Sequence, residues 1–173
     1  YSTLEQDLNG FKTEVGQKYT TIEEFNNLQI GGGDNLLRNG NFADGLEHWR
    51  INDFGTATGT SKTITVANTP SQWIPKNKNA LVIGGLNTSE RYGVESDLIK
   101  LAPYTKYVIS GYCAGHRVNK ITVTMRDSDN NGTHVVSKDI TPVTGGDSLS
   151  KWYRFEIPFT TTANGNYSLC LYS

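Results

Sequence analysis

The hydrophobic period of this chain changes once, at Gly31-Gly32-Gly33, and the change limits what either side can fold into. Before it, Leu4, Leu8, Phe11, Val15, Ile22 and Phe25 recur at spacings of 4, 3, 4, 7 and 3. That is a heptad seam, which a helix presents along one face and a strand cannot. The seam skips Lys18, Gly16 weakens the helix just before it, and Thr20-Thr21 followed by Glu23-Glu24 forms a capping-box pattern that restarts it. Residues 1–29 therefore read as an α-helical segment in one or two pieces. Such a segment is marginal by itself and takes its stability from partners. It is expected to be a coiled-coil stalk that joins copies of the chain, with a homotrimer as the expected order, because parallel trimers accept mixed aromatic and aliphatic seams. The alternative is that it folds back on the rest of the chain. Residues 30–34 read as a Gly-rich hinge.

Beyond the hinge the period falls to 2. Strand candidates are 61–67, 80–85, 94–101, 106–114, 120–127, 134–140, 152–160 and 166–173, separated by Gly, Asn and Pro. Short strands at this spacing predict an all-β fold, a β-sandwich. Alternation assigns faces: Ile121, Val123 and Met125 should be core and Thr122, Thr124 and Arg126 should oppose them. Tyr153, Phe155, Ile157 and Phe159 are likewise expected inside. The segment DSDNNG at 127–132 has some of the spacing of a calcium loop, but its twelfth place is Lys138 and strands flank it. A hairpin turn is the better reading.

Residues 35–49, NLLRNGNFADGLEHW, form the entrance to this region and read as a first strand and its lid. Asn39, Gly40, Phe42, Gly45 and Trp49 resemble the opening pattern of family 4/9-type carbohydrate-binding modules, which are galactose-binding-like jelly rolls. The run GVESDLIKLAPYTKYVISGYCAG, with Pro103, Tyr107 and Ser110, is similar to the central strands of that family, and Trp152, Phe155, Phe159 and Thr160-Thr161-Thr162 to its penultimate ones. The resemblance covers 35–173 and implies a lectin-like jelly-roll β-sandwich that binds sugar without catalysis. Modules of this family often hold a structural calcium beside an acidic residue after the Phe; this chain has Ala43 there, so calcium is disfavoured, with Asp44 a weak candidate, and no cofactor is expected. The heptad segment running into NLLRNGNF resembles linkers of minor structural and tail-fibre proteins in phages of Gram-positive hosts. That resemblance implies a virion, extracellular location, contact with other tail proteins, and host recognition through a bacterial surface polysaccharide. Two alternatives stand beside it: a sugar-binding appendage of a secreted polysaccharide hydrolase, and a purely structural decoration module of the virion.

Charge and composition exclude other classes. Net charge is −1, with two Lys against five acids in the first 29 residues, so neither part carries the basic footprint of a nucleic-acid binder. No apolar run is long enough to insert into a membrane, and the start has no signal-peptide layout; the chain is read as part of something longer. Cys113 and Cys170 are expected to be buried thiols, with a disulfide as the alternative. His48, His116 and His134 are scattered and no nucleophile motif appears, so the chain is expected not to be an enzyme.

Sugar recognition needs a flat apolar surface for the C–H face of a pyranose and planar polar groups for its hydroxyls. On 106–114, outward alternation makes Tyr112 a platform candidate. Trp73 and Tyr92 are the other aromatics outside the core pattern, and Arg91, His116, Arg117 and Arg126 are the polar candidates. Trp49 and Trp152 are assigned to structure.

Overall fold

The computed structural model describes residues 34–54, 62–69, 74, 78–84, 91–115, 118, 120–141 and 152–173. The helical stalk expected at 1–29 lies outside them, as does most of the hinge. The chain divides into a small unit, Tyr1–Asn35 with Lys106–Val108, and a large one, Leu36–Thr105 with Ile109–Ser173. Apart from Lys106–Val108, the features that follow lie in the large unit.

It is all-β. Ten strands run in order as β1 (Trp49–Asn52), β2 (Thr63–Ala67), β3 (Ala80–Gly84), β4 (Gly93–Ser96), β5 (Ile99–Lys100), β6 (Lys106–Cys113), β7 (Ile121–Asp127), β8 (Thr133–Ile140), β9 (Tyr153–Thr160) and β10 (Asn166–Tyr172). Six form one sheet, ordered β1-β4-β10-β7-β8 with β5 also on β10; β2 pairs with β3, and β6 with β9. All eight strand candidates are present. The candidate at 94–101 is split, because at Asp97 the chain leaves the ladder: Ser96 Oγ takes over as acceptor for Leu169 N at 2.9 Å, and Asp97 N turns to His48 O at 2.9 Å.

Of the side chains that alternation assigns to the core, Val123, Met125, Ile157 and Phe159 are buried and Ile121 and Phe155 half-buried, while Thr122 and Thr124 on the opposing face are buried as well. Val94, Val123, Met125, Tyr167 and Leu169 are buried, as are Ile109 and Cys113 of β6 and Ile157 and Phe159 of β9. Tyr153 departs from expectation: it is 43% exposed, as the first residue of its strand. Both cysteines are buried free thiols. Burial pushes Cys113 up, and burial with the charge of Glu95 pushes Cys170 to about 12, so neither is a reactive thiolate.

The entrance segment is not a strand. Residues 37–41 and 43–48 are wound in turns, and the first strand begins only at Trp49. Asn39 is the reason. At φ 50° it sends Nδ2 to Gly45 O (3.0 Å) and Glu47 O (2.8 Å), accepts Asp44 N on Oδ1 (3.0 Å), and its own carbonyl accepts Trp49 Nε1 at 3.0 Å. The Phe42 and Trp49 rings lie with centroids 5.2 Å apart, so the residues of the opening pattern close one turn cluster over the core.

The hairpin expected at DSDNNG is present. Asp127 caps a 3-10 turn at Ser128–Asn130, Asn131 is left-handed, and the chain returns as β8. The Asp127 carboxylate, 1% exposed, is filled by protein donors: Asp129 N, Thr162 Oγ1 at 2.8 Å and Asn164 Nδ2 at 2.9 Å. Its oxygens tie the hairpin to the β9–β10 loop.

Candidate functional site

The register of the six-stranded sheet sets side chains of five strands in rows across the face opposite the core, since residues directly paired project to the same side. Arg50, Glu95, Cys170, Thr124 and Ser137 make one row; Asn52, Gly93, Tyr172, Thr122 and Asp139 make the next; Ser168, Arg126 and His134 begin a third. Above these rows lies a concavity of about 340 Å³, at the small end of the range for ligand sites. Asn52 and Phe54 line it from β1 and the residues just after it, Arg91 from just before β4, Thr124 and Arg126 from β7, His134 from β8, and Cys170 and Tyr172 from β10.

Its floor is a buried ionic network. Glu95 is 3% exposed, yet its carboxylate receives Ser168 Oγ at 2.6 Å, Arg50 Nη2 at 2.7 Å, Asn52 Nδ2 at 2.9 Å and, more distantly, Arg126 Nη1 at 3.4 Å. Burial by itself opposes ionisation and is the largest influence on this group. The Ser168 hydrogen bond, the Arg50 charge, Asn52 and Arg126 together outweigh it and hold the carboxyl below the usual range. Thr124 and Ser137 share a hydroxyl bond of 2.8 Å beside it.

Arg126 is set by its backbone neighbour. Its Nε donates to Gly132 O at 3.2 Å, and the guanidinium lies close against Gly132, where a Cβ would come within 2.8 Å of Cζ. Gly132 also has φ 71°, so no other residue suits the position. At the other end of the groove, Gly93 lets β4 and β10 approach: a Cβ there would sit 2.6 Å from Tyr172 Cβ. Tyr172 and Phe54 form an aromatic pair, centroids 4.4 Å apart and tilted by 39°. Phe54 is held there by an Asx turn, its N–H donating to Asn52 Oδ1 at 2.8 Å, with φ 50°.

Of the candidates read from the sequence, the structure brings Arg91 and Arg126 together in the groove. Tyr92 is half-buried beside Arg91 and pairs its backbone with Ser173. Tyr112 stands apart on the β6–β9 pair, 65% exposed, with the Arg154 guanidinium 5.7 Å from its ring centre. Trp73, His116 and Arg117 lie outside the described residues. Sequence reasoning missed Asn52, Phe54, Glu95 and Tyr172. Their signal was faint: among the strands that line the groove, faces were assigned only for β7, and Phe54 follows a four-residue strand with little pattern of its own.

No family model matches the sequence, and no curated protein does. Solved structures do match. A module described as TmCBM61 in complex with β-1,4-galactotriose has 19% identity and a TM-score of 0.54, covering 81% of this chain and 87% of its own. A structure titled "CBM4 structure and function" has 15% identity and a TM-score of 0.52, covering 78% of this chain and 86% of that one. The fold is that of carbohydrate-binding modules. The enzymatically active domain of tailspike protein 4 from bacteriophage CBA120 also matches, with 14% identity, a TM-score of 0.57 and 80% of this chain covered. The matched region spans 19% of that longer chain.

Proposed function

We propose that the groove over the six-stranded sheet binds carbohydrate without transforming it. The observation that carries this reading is the pairing of an aromatic surface, Phe54 with Tyr172, with planar donors Asn52, Arg91 and Arg126 inside one concavity. Apolar ring faces suit the C–H side of a pyranose, and planar polar groups suit its hydroxyls. The likeness of the fold to modules of the CBM4 and CBM61 type supports it, one of them solved with a galactotriose.

A hydrolytic role fits poorly. Glycoside hydrolysis uses two carboxyl groups across the scissile bond, one of them kept protonated. Among the described residues of this groove the carboxylate at the floor is Glu95, which is held ionised and engaged by two guanidinium groups. The wider reading is a module of a phage tail device that recognises a bacterial surface polysaccharide, carried on a homotrimeric stalk formed by residues 1–29 and assembled with other tail proteins. The tailspike likeness and the heptad seam support it. A single groove of this size is expected to bind weakly, with Kd on the order of 0.1–1 mM. A stalk would raise that by avidity.

The test is binding of the chain to a panel of bacterial cell-wall polysaccharides and plant glycans by titration calorimetry, with Phe54→Ala beside it. Binding that falls about tenfold in Phe54→Ala (~1.4 kcal/mol) with the melting temperature retained is the expected result. Absence of binding to every polymer rejects the reading, and release of reducing ends would make the chain an enzyme. Light scattering at several concentrations tests the stalk: a monomer at high concentration rejects it.

A further inference from the structure

The outward side chains of β10 run on past the end of the groove. Tyr172 and Cys170 line it, and Ser168 pairs with Arg126, whose row with His134 is the last that the concavity reaches. Asn166 is the next residue of β10 on that face, about 7 Å further along the strand. Lys100 of β5 is its direct partner and so shares the face. Asp129 of the hairpin reaches the same point: its carboxylate accepts Asn166 Nδ2 at 3.1 Å, Asn166 N at 3.0 Å and Gly165 N at 3.2 Å.

These three side chains form a rigid polar corner. The side-chain and backbone bonds from Asn166 hold the Asp129 carboxyl below its usual range, so it is a fixed acceptor. Asn166 keeps Oδ1 as a second acceptor. The Lys100 ammonium is exposed and makes no hydrogen bond or ion pair among the described residues, feeling Asp129 only as a nearby charge. A sugar hydroxyl both donates and accepts, and the corner answers both roles, with acceptors on Asp129 and Asn166 and donors on Lys100. None of the three is aromatic. A sugar at the corner therefore binds weakly by itself and gains when it belongs to a chain already seated on Phe54 and Tyr172, which raises its effective concentration there.

On the premise that the groove binds a glycan as above, we propose that Lys100, Asn166 and Asp129 form a further subsite for the same chain. The stretch of β10 from Asn166 to Tyr172 spans about 20 Å, the length of about four pyranose residues. The ligand is a linear run of that length lying along β10, stacked at one end and hydrogen-bonded at the other. A single terminal sugar or a disaccharide fills only part of it.

The test uses β-1,4-galactan, or whichever polymer of the panel above the chain binds more tightly, cut by partial acid hydrolysis into fractions of about two to six residues. Each fraction is titrated calorimetrically into the 173-residue chain and into Lys100→Ala. The four-residue fraction should bind about tenfold more tightly than the two-residue one, with no further gain beyond about five. Lys100→Ala should cut that advantage to about threefold, the loss of one hydrogen bond, with the melting temperature retained because Lys100 is exposed. Equal affinity of the two- and four-residue fractions, a gain that continues undiminished to six, or an advantage that Lys100→Ala leaves whole overturns the subsite and leaves the groove reading standing. No binding of any polymer in the panel fells both.

Discussion

Strands β4, β10 and β7 bury side chains on both of their faces, Val94, Leu169 and Val123 on one and Glu95, Cys170 and Thr124 on the other. The first face excludes water by packing alone. The second excludes it while holding a charge, hydroxyls and a guanidinium, each of which must be matched by a partner or cost free energy. The comparison teaches how a rigid polar surface is made. An apolar face tolerates a change of shape if volume is kept, whereas the Glu95 face depends on every member of its network being in place.

The largest effect should come from breaking that network. Glu95→Ala leaves Arg50 and Arg126 beside a void without their counter-charge, and is expected to cost about 3–5 kcal/mol in chemical denaturation. Leu169→Ala, the matching cut on the packed face, should cost about 3 kcal/mol, within the range for cavity formation. If Leu169→Ala is the more damaging by a clear margin, the polar face is a passive lining. The same contrast has a pH signature. The carboxyl of Glu95 is lower in the folded state than its ordinary value near 4.5, so its contribution is complete above that value and is lost as pH falls through the folded one. Asp129 and Asp139 are shifted the same way, each chiefly by a side-chain hydrogen bond, from Asn166 and from Lys120. Melting Glu95→Gln and wild type between pH 7 and 3 isolates the Glu95 share: the gap between the two curves should narrow on acidification, and a constant gap would contradict the assignment.

Gly132→Ala should be smaller, about 1–3 kcal/mol, from strain at positive φ. It should also weaken glycan binding, because the methyl displaces the Arg126 guanidinium. Retained affinity would show that Arg126 need not lie where it does. Tyr112→Ala should do least, within about 0.5 kcal/mol of wild type, since the ring is exposed and its partner Arg154 is on the surface. It should leave binding in the groove untouched, and a loss of affinity in Tyr112→Ala would move the site to the other sheet.

How much of this was legible in the sequence differs between the same two faces. Alternation alone located Val123, Met125, Ile157 and Phe159, because a hydrophobic side chain carries its own reason for burial. It also set Arg126 opposite the core. Glu95 carries no such reason: what buries it comes from Arg50 on β1, Arg126 on β7, and Ser168, 73 residues further along the chain. A network closed by pairs this distant leaves no local pattern. Tyr112 was singled out because its strand is long and regular, while Phe54 and Tyr172 meet only through strand order. The turn cluster at the entrance was misread as a strand because Leu36 and Leu37 suggested one, and the side-chain bonds of Asn39 that replace the ladder follow no period.

Those bonds also give the protein a calendar. Asn39 is followed by Gly40, whose small backbone lets its nitrogen attack the neighbouring side-chain amide, expel ammonia and leave an acid after hydrolysis. While the loop is closed, both ends of that amide are engaged and the backbone is held at φ 50°, so the reaction must wait for moments of opening. Once it has happened it does not reverse. An oxygen then stands where Nδ2 had donated, facing the carbonyls of Gly45 and Glu47, and two attractions become two repulsions. Ageing in mildly alkaline buffer should therefore appear first as a small mass gain in the peptide containing Asn39, and next as loosening around Trp49, with the groove still intact.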